Sequence, residues 1–298
     1  MKILGGFVFV VLHIYKKWNY SFNFTFSLNR LNRIMASDKK PTVVFIGAGN
    51  LATNLAIALF NADFTILQVY SRSINSATQL ASTVNSSFTT KISDIIQNAD
   101  IYFICVPDKA IQEIASSLDV KSGIVVHTSG STDIQVLKVV KSNGYGVFYP
   151  FQTFSKIRII PFIDIPVCLN ADSEETFAEL SRIASMISSK VVQMDHKTLT
   201  WLHLAGVFTN NFTNHLLAIS HQISEANGFD FELLRPLIEE TVKKSFDKNP
   251  SLSQTGPAVR FDHNTINLHI EKLNDYAPEL ADIYKALTLS IQSLAKKT

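Results

Sequence analysis

The sequence predicts an α/β fold, with a doubly wound and mainly parallel sheet followed by an all-helical C-terminal domain. Three observations predict it. The stretch "VVFIGAGNLATNLAIAL" at residues 43–59 has the pattern of a strand, a glycine turn and a helix. Short apolar strands then alternate with helical patterns up to residue 195, and no strand pattern follows. Such alternation is typical of βαβ units with right-handed crossovers.

The composition of the chain suits a fold with a large core. Of its 298 residues, 46% are hydrophobic and 17% are charged, so the chain can hold one large domain or two ordinary ones with little disorder. Five of the 27 basic residues lie in residues 1–34, which contain no acid, and this leaves 22 basic against 25 acidic residues. Because the remainder has no basic surplus, we do not expect nucleic acid to be the main partner.

The first 40 residues differ from the rest. We expect an N-terminal extension at 1–40, a nucleotide-binding domain at 41–195 and a helical substrate and dimerisation domain at 196–298. The apolar run from Ile3 to Leu12 is too short for a comfortable membrane span, and no small-residue cleavage site follows it. Either this run is a signal anchor, or the segment before Met35 is a disordered or over-extended gene start. We expect no membrane contact for residues 41–298.

Six strands are predicted up to Pro150 and two after it. The fourth is a continuous apolar run, as a parallel sheet buried on both faces requires, and the third is weak. The helices between them are predicted at "INSATQLASTV", "KAIQEIASSL" and "DIQVLKVVKS", with another near 173–187. The predicted strands are "TVVFIG", "FTILQVYS", "SSFTT", "IYFICVP", "GIVVHTSGS", "YGVFYP", "VCLN" and "KVVQM".

Beyond Asp195 the pattern is helical only. One long helix is predicted over 199–228, with Gly228 as its C-terminal stop. A second covers 231–249 and either kinks or begins at Pro236. The last two are predicted at about 265–273 and 278–295.

The turn "GAGNLA" has the G-x-G-x-x-A pattern of a Rossmann dinucleotide-binding fold. Gly47 lets the chain turn tightly, Gly49 has no side chain to keep a pyrophosphate from the backbone, and Ala52 lets the helix pack on the sheet. The helix N-terminus offers free N–H groups and a partial positive charge to phosphate. The alternative is a glycine turn that merely connects two elements. The expected dinucleotide contacts of this turn are Gly47, Ala48, Gly49, Asn50 and Leu51.

The end of the second strand distinguishes NADP from NAD. An NAD-binding fold usually carries Asp or Glu there, to accept a hydrogen bond from the ribose 2′-hydroxyl. This chain has Ser71, Arg72 and Ser73 instead. An arginine between two hydroxyls suits a 2′-phosphate, although a solvated surface arginine would give the same pattern. The sequence therefore favours NADP as the cofactor.

Polar residues follow three later strands, at the edge of the sheet where open α/β folds bind ligands. After the sixth strand, "YPFQTFS" offers Gln152 to a substrate. After the fourth strand, Asp108 either joins the same cleft or simply caps the next helix. The expected cofactor contacts after the fourth and fifth strands, in "CVPDKAI" and "HTSGS", are Val106, Pro107, Thr128 and Ser129.

Six segments in this order, "VVFIGAGNLA", "SRS", "VPD", "HTSGS", "YPFQTFS" and "TGPAVRFD", resemble one family over about residues 41–295. It is the family of Rossmann-like NADP oxidoreductases with a C-terminal helical domain of unknown function. Pyrroline-5-carboxylate reductase, ketopantoate reductase and the β-hydroxyacid dehydrogenases are similar at a greater distance. The resemblance implies an NADP-binding domain, a helical domain that closes over the nicotinamide, and a homodimer formed through the helices. Relatives often have His-Pro where this chain has Tyr149-Pro150, which puts a proton-transfer role at that position in doubt.

The long helix carries the candidate catalytic side chains. The β-hydroxyacid dehydrogenases use a lysine and an asparagine on the corresponding helix, but this helix has no lysine after Lys197. His203, Asn210 and Asn214 are spaced i, i+7 and i+11, so they should share one face. We expect His203, Ser129 and Asn210 to orient the substrate and transfer a proton, and Asn214 to bind the substrate. The alternative is that these residues cap loops or bond across a helix interface.

Two cysteines, Cys105 and Cys168, lie in apolar runs without the spacing of a metal site or a disulfide framework. We expect buried free thiols, no metal, and a cytoplasmic location.

Two functions of different classes remain open. The first is an NADP-dependent reductase or dehydrogenase that transfers a hydride between NADP(H) and a small carbonyl, imine or hydroxy acid. In that case Arg260 clamps a substrate carboxylate, unless it pairs with Asp262 in a structural role. The second is an NADP-binding sensor or scaffold without turnover, which the missing lysine and Tyr149 favour.

Overall fold

The computed structural model describes residues 40–296 and confirms the predicted fold class. One sheet of eight strands has the order β3-β2-β1-β4-β5-β6-β7-β8. All neighbours are parallel except β6 and β7, so that β7 and β8 run against the first six strands. The strands are β1 (Thr42–Ile46), β2 (Thr65–Tyr70), β3 (Ser87–Thr89), β4 (Ile101–Ile104), β5 (Ile124–His127), β6 (Gly144–Pro150), β7 (Val167–Ala171) and β8 (Val191–Gln193).

Nine α-helices accompany the strands in the described part of the chain. Four belong to the βαβ region, and five follow β8. They are α1 (Asn50–Asn61), α2 (Ile74–Thr83), α3 (Asp108–Ser117), α4 (Glu174–Ser185), α5 (His196–Gly206), α6 (Thr213–Ala226), α7 (Arg235–Asp247), α8 (His263–Tyr276) and α9 (Pro278–Ala295).

The sheet is covered on both faces. Helices α1, α2 and α4 pack on one face, where Val43, Phe45 and Phe103 are fully buried. Helix α3 covers the other face, over Val44 and Tyr102. A strand buried on both faces needs apolar residues at successive positions, and this is why β1 and β4 lack polar alternation.

Two helical segments differ from the predicted pattern. Residues of "DIQVLKVVKS" form a short 3-10 helix, Ile134–Val139, rather than an α-helix. The long helix predicted over 199–228 has a π-helical segment, Val207–Phe212, between α5 and α6. Gly228 follows α6 with a φ of 71°, as expected for a helix stop. The rule that residues i, i+7 and i+11 share a face holds for 3.6 residues per turn, so it loses its basis across the wider π-helical turn.

The antiparallel pairing of β6 and β7 places the connection between them at the ligand edge of the sheet. Pro150 pairs with Val167, so residues 151–166 leave and re-enter the sheet at the carboxyl ends of the parallel strands. Phe154 stacks on Phe162 within this connection. Phe162 and Ile165 join the same core cluster as the buried residues of α1, so the connection packs on the face of the sheet that α1 covers.

The described chain forms two compact units. The first, called the Rossmann unit below, ends at Asn210, and the second, called the helical unit, begins at Asn211. The domain boundary expected between 195 and 196 stays a prediction. The expectations for residues 1–34, a signal anchor or an over-extended gene start, lie outside the described residues. Within residues 40–296, no helix combines the length and the apolar character needed to cross a membrane.

Candidate functional site

The glycine turn after β1 requires glycine at its first position. Gly47 has a φ of 117°, and a Cβ atom added there would lie 2.2 Å from the carbonyl oxygen of Cys105. The Gly47 N–H donates to the carbonyl of Tyr70 over 2.8 Å, which ties the turn to the end of β2. The ends of β1, β2 and β4 therefore meet at this turn, as a dinucleotide site requires.

The start of α1 is open in the way a phosphate group needs. Gly49 is the N-cap of α1, and no side chain caps the helix there. A Cβ atom added to Gly49 would find no other atom within 4 Å, while the following Asn50 is exposed. The unpaired N–H groups of a first helical turn attract anions. The residues present therefore fit a pyrophosphate, because no side chain occupies the space in front of the first turn of α1.

The segment that follows β2 is next to this turn. Ser71 comes directly after Tyr70, the partner of Gly47, and its hydroxyl oxygen accepts the N–H of Ser73 over 3.3 Å. Ser73 caps α2 by accepting the N–H of Ser76. The side chain of Arg72 is exposed, and no ion pair involves it in residues 40–296.

The end of β4 provides a thiol that is kept inert. Burial raises the pKa of Cys105 to about 12, and a hydrogen bond with the Thr128 side chain lowers that pKa only in part. A thiol of this kind stays protonated and is not a nucleophile. Val106 is half-buried and Pro107 is exposed at the same strand end. These neighbours offer packing rather than chemistry to a cofactor.

Asp108 does not cap the helix that it begins. Pro107 is the N-cap of α3, and the Asp108 carboxylate accepts the hydroxyl of Ser131 over 2.6 Å. Of the two interpretations of the sequence, the cap is therefore wrong, and Asp108 joins the polar residues after β5. Its negative charge in the first turn of α3 still interacts favourably with the dipole of that helix.

The turn after β5 is held by Ser129. Its hydroxyl oxygen accepts the backbone N–H groups of Ser131 and Thr132, over 3.1 and 3.0 Å. The N–H of Ser129 in turn donates to Nδ1 of His127, a fully buried side chain. Because the Ser131 hydroxyl donates to Asp108, the Ser129 hydroxyl is the donor in its 3.3 Å contact with the Ser131 oxygen. Ser129 can donate to a ligand only by leaving this contact.

The most specific polar contact at this edge joins the Rossmann strands to α5. The Tyr149 hydroxyl lies 3.1 Å from Nδ1 of His203, and the ring of Tyr149 also meets the edge of Phe151. Gly130 packs against both partners: a Cβ atom there would lie 2.8 Å from the Tyr149 ring and 3.2 Å from Cβ of His203. The structure thus brings together a carboxyl-edge cluster, made of Asp108, Ser129, Ser131, Tyr149 and His203.

Sequence reasoning missed two members of this region. A proton-transfer role at Tyr149 was in doubt from the sequence, and only the fold shows that its hydroxyl reaches His203. Asn54, fully buried on α1, donates to the carbonyl of Ser155 and accepts the N–H of Ile160, which ties the 151–166 connection to the glycine-turn helix. A polar residue on the apolar face of α1 was the signal that could have revealed it.

The remaining candidates are exposed. Gln152 follows β6, and its side-chain oxygen accepts the N–H of Thr153. Asn210 lies in the π-helical segment at the end of the Rossmann unit. Asn214 and Arg260 lie in the helical unit and are exposed there.

Arg260 and Asp262 do not form the structural pair that was one of the two expectations. Asp262 caps α8 by accepting the N–H and hydroxyl of Thr265, and these bonds hold its pKa below the usual range. No ion pair joins Arg260 to Asp262 in the described chain. The charge of Arg260 still contributes to the lowered pKa of Asp262, although the two side chains do not form an ion pair. Between Lys40 and Lys296, no group of three or more His, Cys, Asp or Glu residues could hold a metal ion.

Two family models match the chain. Residues 42–129 match the model described as "NADP oxidoreductase coenzyme F420-dependent", and residues 165–291 match "Domain of unknown function (DUF2520)". Among curated proteins, no significant match is found.

Solved structures extend these matches over both units. A Bacteroides fragilis protein described as a "putative NADP oxidoreductase" is 40% identical, with a TM-score of 0.80, and the match covers 86% of this chain and 100% of that one. A Thermotoga maritima protein is 23% identical, with a TM-score of 0.71 and coverage of 85% and 99%. An imine reductase from Myxococcus stipitatus in complex with NADP+ is 15% identical, with a TM-score of 0.56 and coverage of 86% and 93%. The last two show a shared fold, whereas the first shares its family with this chain.

Proposed function

This chain belongs to the family of Rossmann-like NADP oxidoreductases with a C-terminal helical domain of unknown function, and we propose that it transfers a hydride between NADP(H) and a small carbonyl, imine or hydroxy acid. The observation that carries the proposal is the meeting of two features at one sheet edge. The glycine turn is bonded to the end of β2, and the polar carboxyl-edge cluster follows β4, β5 and β6. The nicotinamide ring, when bound, supplies the hydride-transfer chemistry.

NADP is proposed over NAD because of the residues beyond β2. The Gly47–Tyr70 bond keeps Ser71, Arg72 and Ser73 beside the phosphate-binding turn. The exposed guanidinium of Arg72 suits a 2′-phosphate dianion, and the serine hydroxyls can donate to the same group. No carboxylate stands at this position to bind a ribose 2′-hydroxyl or repel a phosphate.

The chain's own residues are proposed to orient the substrate and supply its proton. His203 is the proton donor, because an imidazole N–H is a suitable general acid near neutral pH and because His203 contacts the turn after β5 through Gly130. Ser129 donates its hydroxyl to the substrate in place of its 3.3 Å contact with the Ser131 oxygen. Asn210 helps to orient the substrate.

Substrate contacts are proposed for three further side chains. Gln152 follows β6 at the carboxyl edge, where open sheets bind ligands. Arg260 has no ion-pair partner in Asp262 and suits a substrate carboxylate. Asn214 can donate and accept hydrogen bonds from α6.

The helical unit is proposed to form a homodimer. Large apolar side chains of this unit, among them Leu237 and Leu289, are 66% exposed, and exposed apolar surface of this kind marks an interaction site. A second copy of the chain is the commonest partner for such a surface in soluble proteins. A cytoplasmic location is part of the proposal because Cys105 and Cys168 are free thiols.

The cofactor proposal is tested by thermal stabilisation with NADP, NADPH, NAD and NADH. We expect a clear preference for the phosphorylated pair, and we expect Arg72→Ala to weaken NADP binding about 10- to 100-fold, the value of a charge-assisted hydrogen-bond pair. Lys121→Ala is the matched control. Lys121 precedes β5, so it lies at the amino ends of the parallel strands, away from the proposed cofactor site, and its loss changes the net charge equally. Equal shifts for all four nucleotides would contradict the proposal.

The non-catalytic alternative is tested in crystals of the NADP complex soaked with small carbonyls and imines. The reductase proposal expects a ligand beside the nicotinamide, with His203 or Ser129 within hydrogen-bond reach. A cleft without space for a ligand, or without a proton donor beside the nicotinamide, would favour a sensor.

A further inference from the structure

We propose that Tyr149 is a positioning residue for His203: its hydroxyl holds the imidazole in the tautomer with the proton on Nε2 and replaces that proton when the substrate takes it. The inference rests on the proposed role of His203 as the proton donor. It gives a role to the tyrosine that stands where relatives often have histidine.

The contact is fixed from three sides. Tyr149 lies in β6, where its backbone pairs with Cys168 of β7, so the ring cannot shift along the strand. Phe151 presents its ring to Tyr149 at a centroid distance of 6.0 Å. Gly130 lies against both the Tyr149 ring and His203, and any side chain at position 130 would collide with the phenol ring. These constraints hold the hydroxyl 3.1 Å from Nδ1 of His203.

The state of Tyr149 allows its hydroxyl to be the donor in this hydrogen bond. Burial raises the pKa of Tyr149 to about 12, with smaller contributions from Cys168 and Asp108. The phenol is therefore protonated at neutral pH and has a proton to donate. In its neutral form the imidazole of His203 has one donor and one acceptor nitrogen. When Nδ1 accepts from Tyr149, the proton of the ring must sit on Nε2.

The same arrangement allows a balanced proton transfer. In the reduction of a carbonyl, the substrate oxygen gains negative charge as its carbon accepts the hydride. The Nε2–H bond of His203 breaks and an O–H bond forms on the substrate, while the Oη–H bond of Tyr149 breaks and an Nδ1–H bond forms. The imidazole stays neutral, Tyr149 becomes a phenolate, and water then reprotonates it. An alkoxide is a stronger base than a phenolate, so the proton moves in the favourable direction.

Direct donation by Tyr149 is the weaker alternative. The hydroxyl of Tyr149 is already engaged with Nδ1 of His203, so it would have to leave this contact to reach a substrate itself. The geometry therefore suits Tyr149 to act through the imidazole.

The test is the imidazole 15N spectrum of the NADP-bound protein, which reports the histidine tautomer without any substrate. The His203 signals are assigned with His203→Asn. We expect His203 to be protonated on Nε2 in the unchanged protein, and we expect Tyr149→Phe to give a mixture of tautomers. Tyr149→Phe keeps the ring that packs on Gly130. A second pair of the same kind, Tyr284 with Nδ1 of His269, provides the matched control: Tyr284→Phe should alter the His269 signals and leave those of His203 unchanged.

Two results would overturn the inference. One is an Nδ1-protonated His203 in the unchanged protein, which needs no variant to fold. The other is a His203 tautomer that Tyr149→Phe does not change. The rate of NADPH oxidation with para-nitrobenzaldehyde separates this inference from the proposed function. If His203→Asn leaves that rate unchanged, the proton-donor role is wrong, whatever the tautomer. If the rate falls about 100-fold in His203→Asn, we expect Tyr149→Phe to lower kcat about 10-fold with little change in KM.

Discussion

The Rossmann unit and the helical unit bury their apolar side chains to very different extents. In the Rossmann unit, three clusters of buried residues cover both faces of the sheet. Among the described residues after Leu199, only three hydrophobic residues are buried: Ala258, Ile266 and Ala281. The side chain of Phe246 is 89% exposed. One unit therefore carries its own core, whereas the helices of the other keep apolar faces for further contacts.

The two Tyr–His pairs repeat this difference on a smaller scale. Tyr149 and His203 join a strand to a helix across 54 positions of sequence, and Gly130 packs on both. Tyr284 and His269 join the neighbouring helices α8 and α9 across 15 positions. Burial raises the pKa of both tyrosines, and only for Tyr149 is the shift large. The same contact thus lies deeper in the unit that has a core.

The largest effect is expected at glycines with positive φ. Gly47→Ala should lower the free energy of unfolding by more than about 4 kcal/mol, because the new Cβ combines backbone strain with a collision against the Cys105 carbonyl. Gly228→Ala in the helical unit should cost only about 1 kcal/mol, since φ is 71° but no atom lies within 4 Å of the added Cβ. Urea unfolding measures both. Similar losses for the two variants would contradict the difference in packing.

The next effect compares leucines of the two units. Leu55→Ala should lower the free energy of unfolding by about 2–5 kcal/mol, because Leu55 lies on the buried side of α1 and the core cannot fully close the cavity. Leu289→Lys in the helical unit should change the free energy of unfolding by less than about 0.5 kcal/mol, because Leu289 lies on the surface. Its effect should appear in sedimentation instead, as a shift from dimer to monomer. A dimer unaffected by both Leu289→Lys and Leu237→Lys would place the interface elsewhere.

The parts of the fold that depend on local pattern were predicted from the sequence. The glycine turn, the apolar run of β4 and the stop at Gly228 follow from residue type and spacing. The antiparallel pairing of β7 was not predicted, because strand direction depends on where residues 151–166 pack. The π-helical segment was also missed, since its residues suit an α-helix equally well.

The candidate site was predicted less completely for the same reason. The sequence placed polar residues at the strand ends, and the structure brings Asp108 to Ser131 and His203 to the turn after β5. The Tyr149–His203 contact depends on α5 crossing the end of β6, which no local pattern specifies. The contacts of Asn54 could not be predicted either, because its two partners lie about 100 residues further along the chain.

The smallest effect concerns pH and again separates the two units. His127 is fully buried, and burial lowers its pKa to about 4, against the opposing influence of the Asp133 backbone and the charges of Asp108 and Asp133. None of the four histidines of the helical unit, His215, His221, His263 and His269, is buried. Below the ordinary histidine pKa of about 6.5, the unfolded chain binds a proton at position 127 that the folded chain cannot bind. The stabilisation is therefore complete above about pH 6.5 and is lost as the pH falls towards 4.

Because of this linkage, the free energy of unfolding of the Rossmann unit should be about 2 kcal/mol lower at pH 5 than at pH 7. Urea unfolding at the two pH values measures the loss, and hydrogen exchange should show it in β4, β5 and β6, the strands around His127. His127→Asn, which cannot titrate, should be less stable at pH 7 because it replaces a buried ring, but its stability should depend less steeply on pH. If His127→Asn loses as much stability between pH 7 and pH 5 as the unchanged protein, another group causes the acid sensitivity, and the buried histidine does not distinguish the two units.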